Sequence, residues 1–222
     1  MSELSSVIGL RLEQERDTRR QELYKPSLVI VRVASTHLMV DREWYLNHCG
    51  VVIAPRLEKE YGFIPDHVIV APSNVARITA KEITSSMSHF VNPAQDELLC
   101  DQYSDDQMSI LDPLWERVIH TEDGSHLPDD MPEAVKLIED GGHFAGNQVH
   151  RVIREHPRGT TLMIAEWNSF SFIEAIKLWN VDTSTAQPEP YRRFYPSLGV
   201  TLIKHDGAAI MKSAYVPEPL NL

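Results

Sequence analysis

Val135–Ile164, VKLIEDGGHFAGNQVHRVIREHPRGTTLMI, decides how this chain is read. Its apolar runs are short and rich in β-branched residues, and a Gly-Gly pair and a Pro-Arg-Gly turn separate them. Such runs bounded by turn residues predict strands. On that reading Gly141-Gly142 is a turn, QVHRVIRE is a strand bearing His150, and TTLMIAEW is the strand that returns.

Upstream the same pattern repeats in VARITAKEI, SSMSHFV, ELLCDQ, QMSIL, WERVIHT and AVKLIE, with turn chemistry at Asn92-Pro93, Asp112-Pro113 and Asp123-Gly124. This spacing predicts a sandwich or barrel. Earlier still, Leu28–Ala34 (LVIVRVA), Val51–Ala54 and His67–Val70 read as short buried strands, and the charged Glu13–Tyr24 as a surface helix stopped by Pro26. Downstream, Ser171–Trp179 places Phe172, Ile176 and Trp179 on one helical face with Ser171 as N-cap. A proline-bearing loop over Gln187–Pro196 follows, and Asp206-Gly207 between two alternating runs is a hairpin signal. The expected organisation is a single domain over 1–222, in three parts. A mixed α/β extension spans 1–73, a barrel core 74–169, and a helix plus hairpin 170–222.

A chain of 222 residues, 42% of them hydrophobic, can bury a substantial core. Its net charge of -11 disfavours nucleic acid, whose affinity comes from phosphate neutralisation. The basic clusters Arg16–Arg20 and Arg192-Arg193 read as solvated surface. No run is long and apolar enough for a bilayer, and the N-terminus lacks the order of a signal peptide, so a cytoplasmic location is expected. Two cysteines, Cys49 and Cys100, make no disulfide framework and no CxxC pair.

From Met87 to Trp167 the order of residues resembles the cupins, small jelly-roll barrels, in their phage and bacterial form. HFVNPAQDELLCDQYSDDQMSIL followed by LWERV is similar to the first cupin motif, and the stretch quoted above to the second. The resemblance implies a metal cage of Zn or Fe. His150 matches the distant histidine, Glu116 stands where an acidic residue is common, and Cys100 and Gln102 occupy the positions of the paired histidines. On the same footing His150, Cys100 and Glu116 would hold the metal, Gln102 would orient substrate or water, and His143 and Trp167 would line the barrel mouth. The activity implied is a dioxygenase- or hydroxylase-type reaction on a small molecule. The alternative is a non-catalytic accessory protein of a phage or mobile element using the barrel as scaffold. Either is compatible with a homodimer paired through edge strands.

Other motifs fail on their surroundings. HFAGNQVHR has a likeness to the Fic loop, which needs flanking helices; Glu166 lacks the Glu-x-Lys of a metal-dependent nuclease; no P-loop, GxGxxG or GxSxG is present.

Overall fold

Leu28–Arg32 forms β1, and all five residues are buried. Thr161–Ala165 forms β4 and is buried along its whole length as well. Continuous apolar runs of this kind belong to parallel strands covered on both faces, and β1 and β4 do pair in parallel, with Leu28 opposite Thr161 and Arg32 opposite Ala165. The computed structural model describes residues 25–33, 49–100, 103–120, 128–179 and 198–218. The helix expected over 13–24, both basic clusters, the loop at 187–196 and Gln102 lie outside the described residues.

Six strands make one sheet in the order β3-β2-β4-β1-β5-β6. β2 (His67–Val70) is parallel to β4 and to the two-residue β3 (Ala94–Gln95). β5 (Leu198–His205) runs antiparallel to β1, and β6 (Ile210–Glu218) antiparallel to β5. The sheet is open, with β3 and β6 at its edges. The jelly-roll barrel implied by the cupin resemblance is therefore overturned: the described residues form a mixed, mostly helix-covered α/β sheet. Its strands come from the first, middle and last parts of the chain alike.

The correction has a local cause. VARITAKEI, AVKLIE and QVHRVIRE are helical, with buried residues recurring every three to four positions, and QMSIL and WERVIH lie within the helix Asp105–His120. In α2 (Asn74–Ser85) the buried set is Val75, Ala76, Thr79, Ala80, Ile83 and Thr84, and Thr84 Oγ1 donates to the Ala80 carbonyl at 2.9 Å, satisfying its hydroxyl inside the helix. In α4 (Pro132–Glu155) the buried set is Ala134, Ile138, Gly142, Ala145, Gly146, Val149, Val152 and Ile153, a 3.6-residue stripe. Val51–Ala54, expected as a strand, lies in the π-turn Cys49–Ile53 that leads into α1 (Ala54–Tyr61). Asp112-Pro113, expected as a turn, lies within α3 (Asp105–His120).

Gly141-Gly142 is no turn. A Cβ on Gly142 would sit 2.5 Å from the Glu174 Cβ and 3.2 Å from backbone atoms of α5 (Ser169–Trp179). The glycines let α4 and α5 approach closely. Tyr103 fastens the contact: its hydroxyl donates to the Leu137 carbonyl at 2.9 Å and lies 2.7 Å from Ser171 Oγ. Ser171 is consequently a buried residue inside α5 and not its N-cap.

Steps from β1 to β2 and from β2 to β3 go one way across the sheet, and the step from β3 to β4 goes back. Right-handed crossovers then place α1 and α2 on one face and α3 and α4 on the other.

Candidate site at the carboxyl edge of the sheet

In an open α/β sheet, ligands bind beyond the carboxyl ends of parallel strands, where neighbouring strands send their connections in opposite directions. β1 and β4 are that pair. The chain leaving β1 continues to β2 on one side, and the chain leaving β4 continues to β5 on the other.

Arg32 ends β1 and is only 3% exposed. A buried guanidinium is held by partners, and Arg32 does take part in a further interaction. Its register partner is Ala165, whose carbonyl accepts the Val33 amide at 2.9 Å. Immediately beyond Ala165 come Glu166, Trp167 and Asn168. The Glu166 amide donates to the Leu99 carbonyl at 2.8 Å, and Glu166 bridges in parallel to Cys100, so the chain stays extended past the end of β4. Adjacent strand ends lie about 4.8 Å apart, which puts Arg32 and the Glu166 segment beside each other.

Two helices start at this edge. After β2, Ser73 caps α2, its Oγ accepting the Ala76 amide at 3.1 Å. After β4, α5 begins at Ser169. Helix N-termini carry partial positive charge and unpaired N–H groups. One buried cation and two helix starts around neighbouring strand ends make an edge suited to an anion.

The residues expected to build a metal cage are distributed differently. His150 stands on α4, half-buried, and not on a strand; His143 is on the same helix, exposed, two turns earlier. Glu116 lies on α3. Cys100 follows the 3-10 turn Glu97–Leu99, with its Sγ donating to the Glu97 carbonyl at 3.2 Å. Trp167 is 1% exposed at the end of β4. Among the described residues no three or more His, Cys, Asp or Glu side chains converge as a metal group. Of the expected set, the fold brings Cys100 and Trp167 to the carboxyl edge. Arg32, inside the run LVIVRVA read as a strand, was not singled out from the sequence.

The opposite edge gathers histidines. His67, at the start of β2, packs against His156, the C-cap of α4, with ring centroids 4.4 Å apart and planes tilted by 38°. His205, at the end of β5, accepts the Gly207 amide on Nδ1 at 3.1 Å. Burial holds His156 below the ordinary histidine range, aided by the neighbouring His67, and burial does the same to His205.

These features define the chain as an open α/β protein with an anion-suited carboxyl edge. No protein-family model and no curated protein matches the sequence. Similar solved structures include Mycobacterial hydrolase 1, at 11% identity over 88% of this chain and 98% of that chain, TM-score 0.46. A mycobacterial glucosyl-3-phosphoglycerate phosphatase is 12% identical over 87% of this chain and 98% of its own, TM-score 0.44. A phosphoserine phosphatase from Entamoeba histolytica is 11% identical over 84% and 95%, TM-score 0.41. Likenesses of this size carry no argument about this chain. It is the open sheet that overturns the cupin resemblance, and the dioxygenase and barrel-scaffold readings fall with the barrel. Among the described residues no helix is long and apolar enough to cross a membrane.

Proposed function

We propose that the carboxyl edge binds the phosphate group of a small phosphorylated molecule, with Arg32 as anchor. The observation that carries this reading is a buried arginine at the end of a central parallel strand, at the switch point of the sheet. A planar guanidinium offers five donors in a fork that matches a tetrahedral anion, so an arginine already engaged elsewhere still has donors to give. With a net charge of -11 the molecule as a whole repels anions, and local donors must therefore supply the attraction.

Calorimetric titration with inorganic phosphate tests the reading. Arg32→Met should weaken binding by about tenfold or more, whereas Arg32→Lys, which keeps the charge and loses the fork, should fall between. Equal affinity in all three proteins would refute it. Release of nitrophenol from p-nitrophenyl phosphate, abolished by Arg32→Met, would make the protein a phosphate-ester hydrolase; binding without release would make it a phosphate-ester receptor.

A further inference from the structure

We infer that the indole N–H of Trp167 is a ligand donor at the same edge; this rests on the phosphate-binding reading above. Trp167 is 1% exposed, and its Nε1 has no hydrogen-bond partner among the described residues. Buried tryptophan N–H groups normally find one, because leaving a donor unmade in a dry site costs far more than a neutral contact contributes. Its ring packs near Phe172 at a centroid distance of 6.1 Å, an apolar contact that does nothing for the N–H.

Position ties this orphan donor to Arg32. The Cys100–Glu166 bridge keeps the chain extended past β4, and side chains alternate along an extended chain. Trp167 thus stands on the face that carries Ala165, whose register partner is Arg32. Trp167 also directly precedes Asn168 and the start of α5 at Ser169. A phosphate oxygen held by Arg32 would have Trp167 on the same face and the helix start next to it. The indole would complete a neutral donor set on an anion whose charge Arg32 offsets, and it donates a hydrogen bond without adding charge. Chemically this favours a compact oxyanion over an apolar ligand, and it predicts discrimination against molecules that present only donors to this point.

The test separates this role from a packing role. Trp167→Phe keeps an aromatic ring and removes the N–H together with part of the buried ring volume. It should weaken inorganic phosphate binding by about tenfold; a packing role alone would lower the thermal midpoint of the ligand-free protein through the smaller ring and leave phosphate affinity as in the parent. If Trp167→Phe binds phosphate as tightly as the parent while Arg32→Met does not, the indole role is wrong and the anchor stands. If the parent binds no phosphate, both fall. Should the variant fail to fold, the parent protein still decides the matter. In a 15N spectrum the four indole N–H signals are assigned by Trp→Phe exchange at Trp44, Trp115 and Trp179. A downfield shift of the remaining signal on saturation with phosphate supports the inference, and an unmoved signal overturns it.

Discussion

Gly142 shows how one residue can reverse a rule. Alanine is ordinarily the better helix former by about 1 kcal/mol, so Gly142→Ala would stabilise an isolated α4. Here the added methyl would meet the Glu174 Cβ at 2.5 Å and α5 backbone at 3.2 Å. Backbone cannot swing aside as a side-chain end can, and overpacking costs about 1–3 kcal/mol. Gly142→Ala should therefore lower stability in urea by an amount within that range, and a gain would mean that α4 and α5 are not in close contact. The same residue explains why the site was misjudged in sequence. Paired glycines next to a histidine look like a turn that aims His143 and His150 into a barrel. Counting every third or fourth apolar residue, from Ile138 through Ala145 and Val149 to Val152, places both histidines on a helix instead. β-branched residues in α2 and α4 gave strand propensity; their spacing, which packing obeys, gave helix. Leu28–Arg32 and Thr161–Ala165 were legible as continuous, largely apolar runs, read as Leu28–Ala34 and TTLMIAEW, and Arg32 went unweighed because it sat inside the first of them.

Among the elements, α4 ties the sheet's β3 edge to its helical layer through Arg151. Its guanidinium forms an ion pair with Asp96, one residue beyond β3, and a second with Glu155 one turn along the helix at 2.9 Å. Gln148 accepts from Arg151 Nε at 2.8 Å. Asp96 also accepts the Leu98 amide at 3.0 Å, holding the turn before Cys100. With Arg151 and Asp96 side chains 26% and 16% exposed, solvent weakens but does not erase the pair. Arg151→Met should cost about 1–2 kcal/mol, and a double-mutant cycle with Asp96→Asn should recover a coupling of about 0.5–1 kcal/mol. Additivity would show that the pair is surface decoration. The β5-β6 hairpin was legible for a sound reason. Asp206 Oδ1 accepts the Ala208 and Ala209 amides at 2.9 Å each, and Gly207 takes φ +94°, a conformation that glycine alone adopts cheaply.

For the molecule as a whole, the histidines at the amino edge set a direction for pH dependence. His156 and His205 both have folded-state pKa values below the ordinary 6.5. The groups around them are His67, Glu155 and Arg151 for the first, and Asp206 for the second. Below 6.5 the unfolded chain therefore takes up protons that the folded chain resists. Stability is fully present above that pH and declines as pH falls through the folded values. Protonation of His205 on Nδ1 also ends the bond from Gly207. The urea midpoint should drop between pH 7.5 and pH 5.5, and His156→Gln with His205→Asn should flatten that drop; an unchanged slope would acquit both histidines.

β1 lies between β4 and β5, so the strand made early in synthesis waits for neighbours made much later. Ser27 meets Ile203, 176 positions along the chain. Until those strands emerge, LVIVR has no ladder to join, and its flat apolar edge is open to other nascent chains. Such distant pairings slow folding. The protein should refold slowly from denaturant and require dilution or a chaperone, with recovery falling steeply as chain concentration rises.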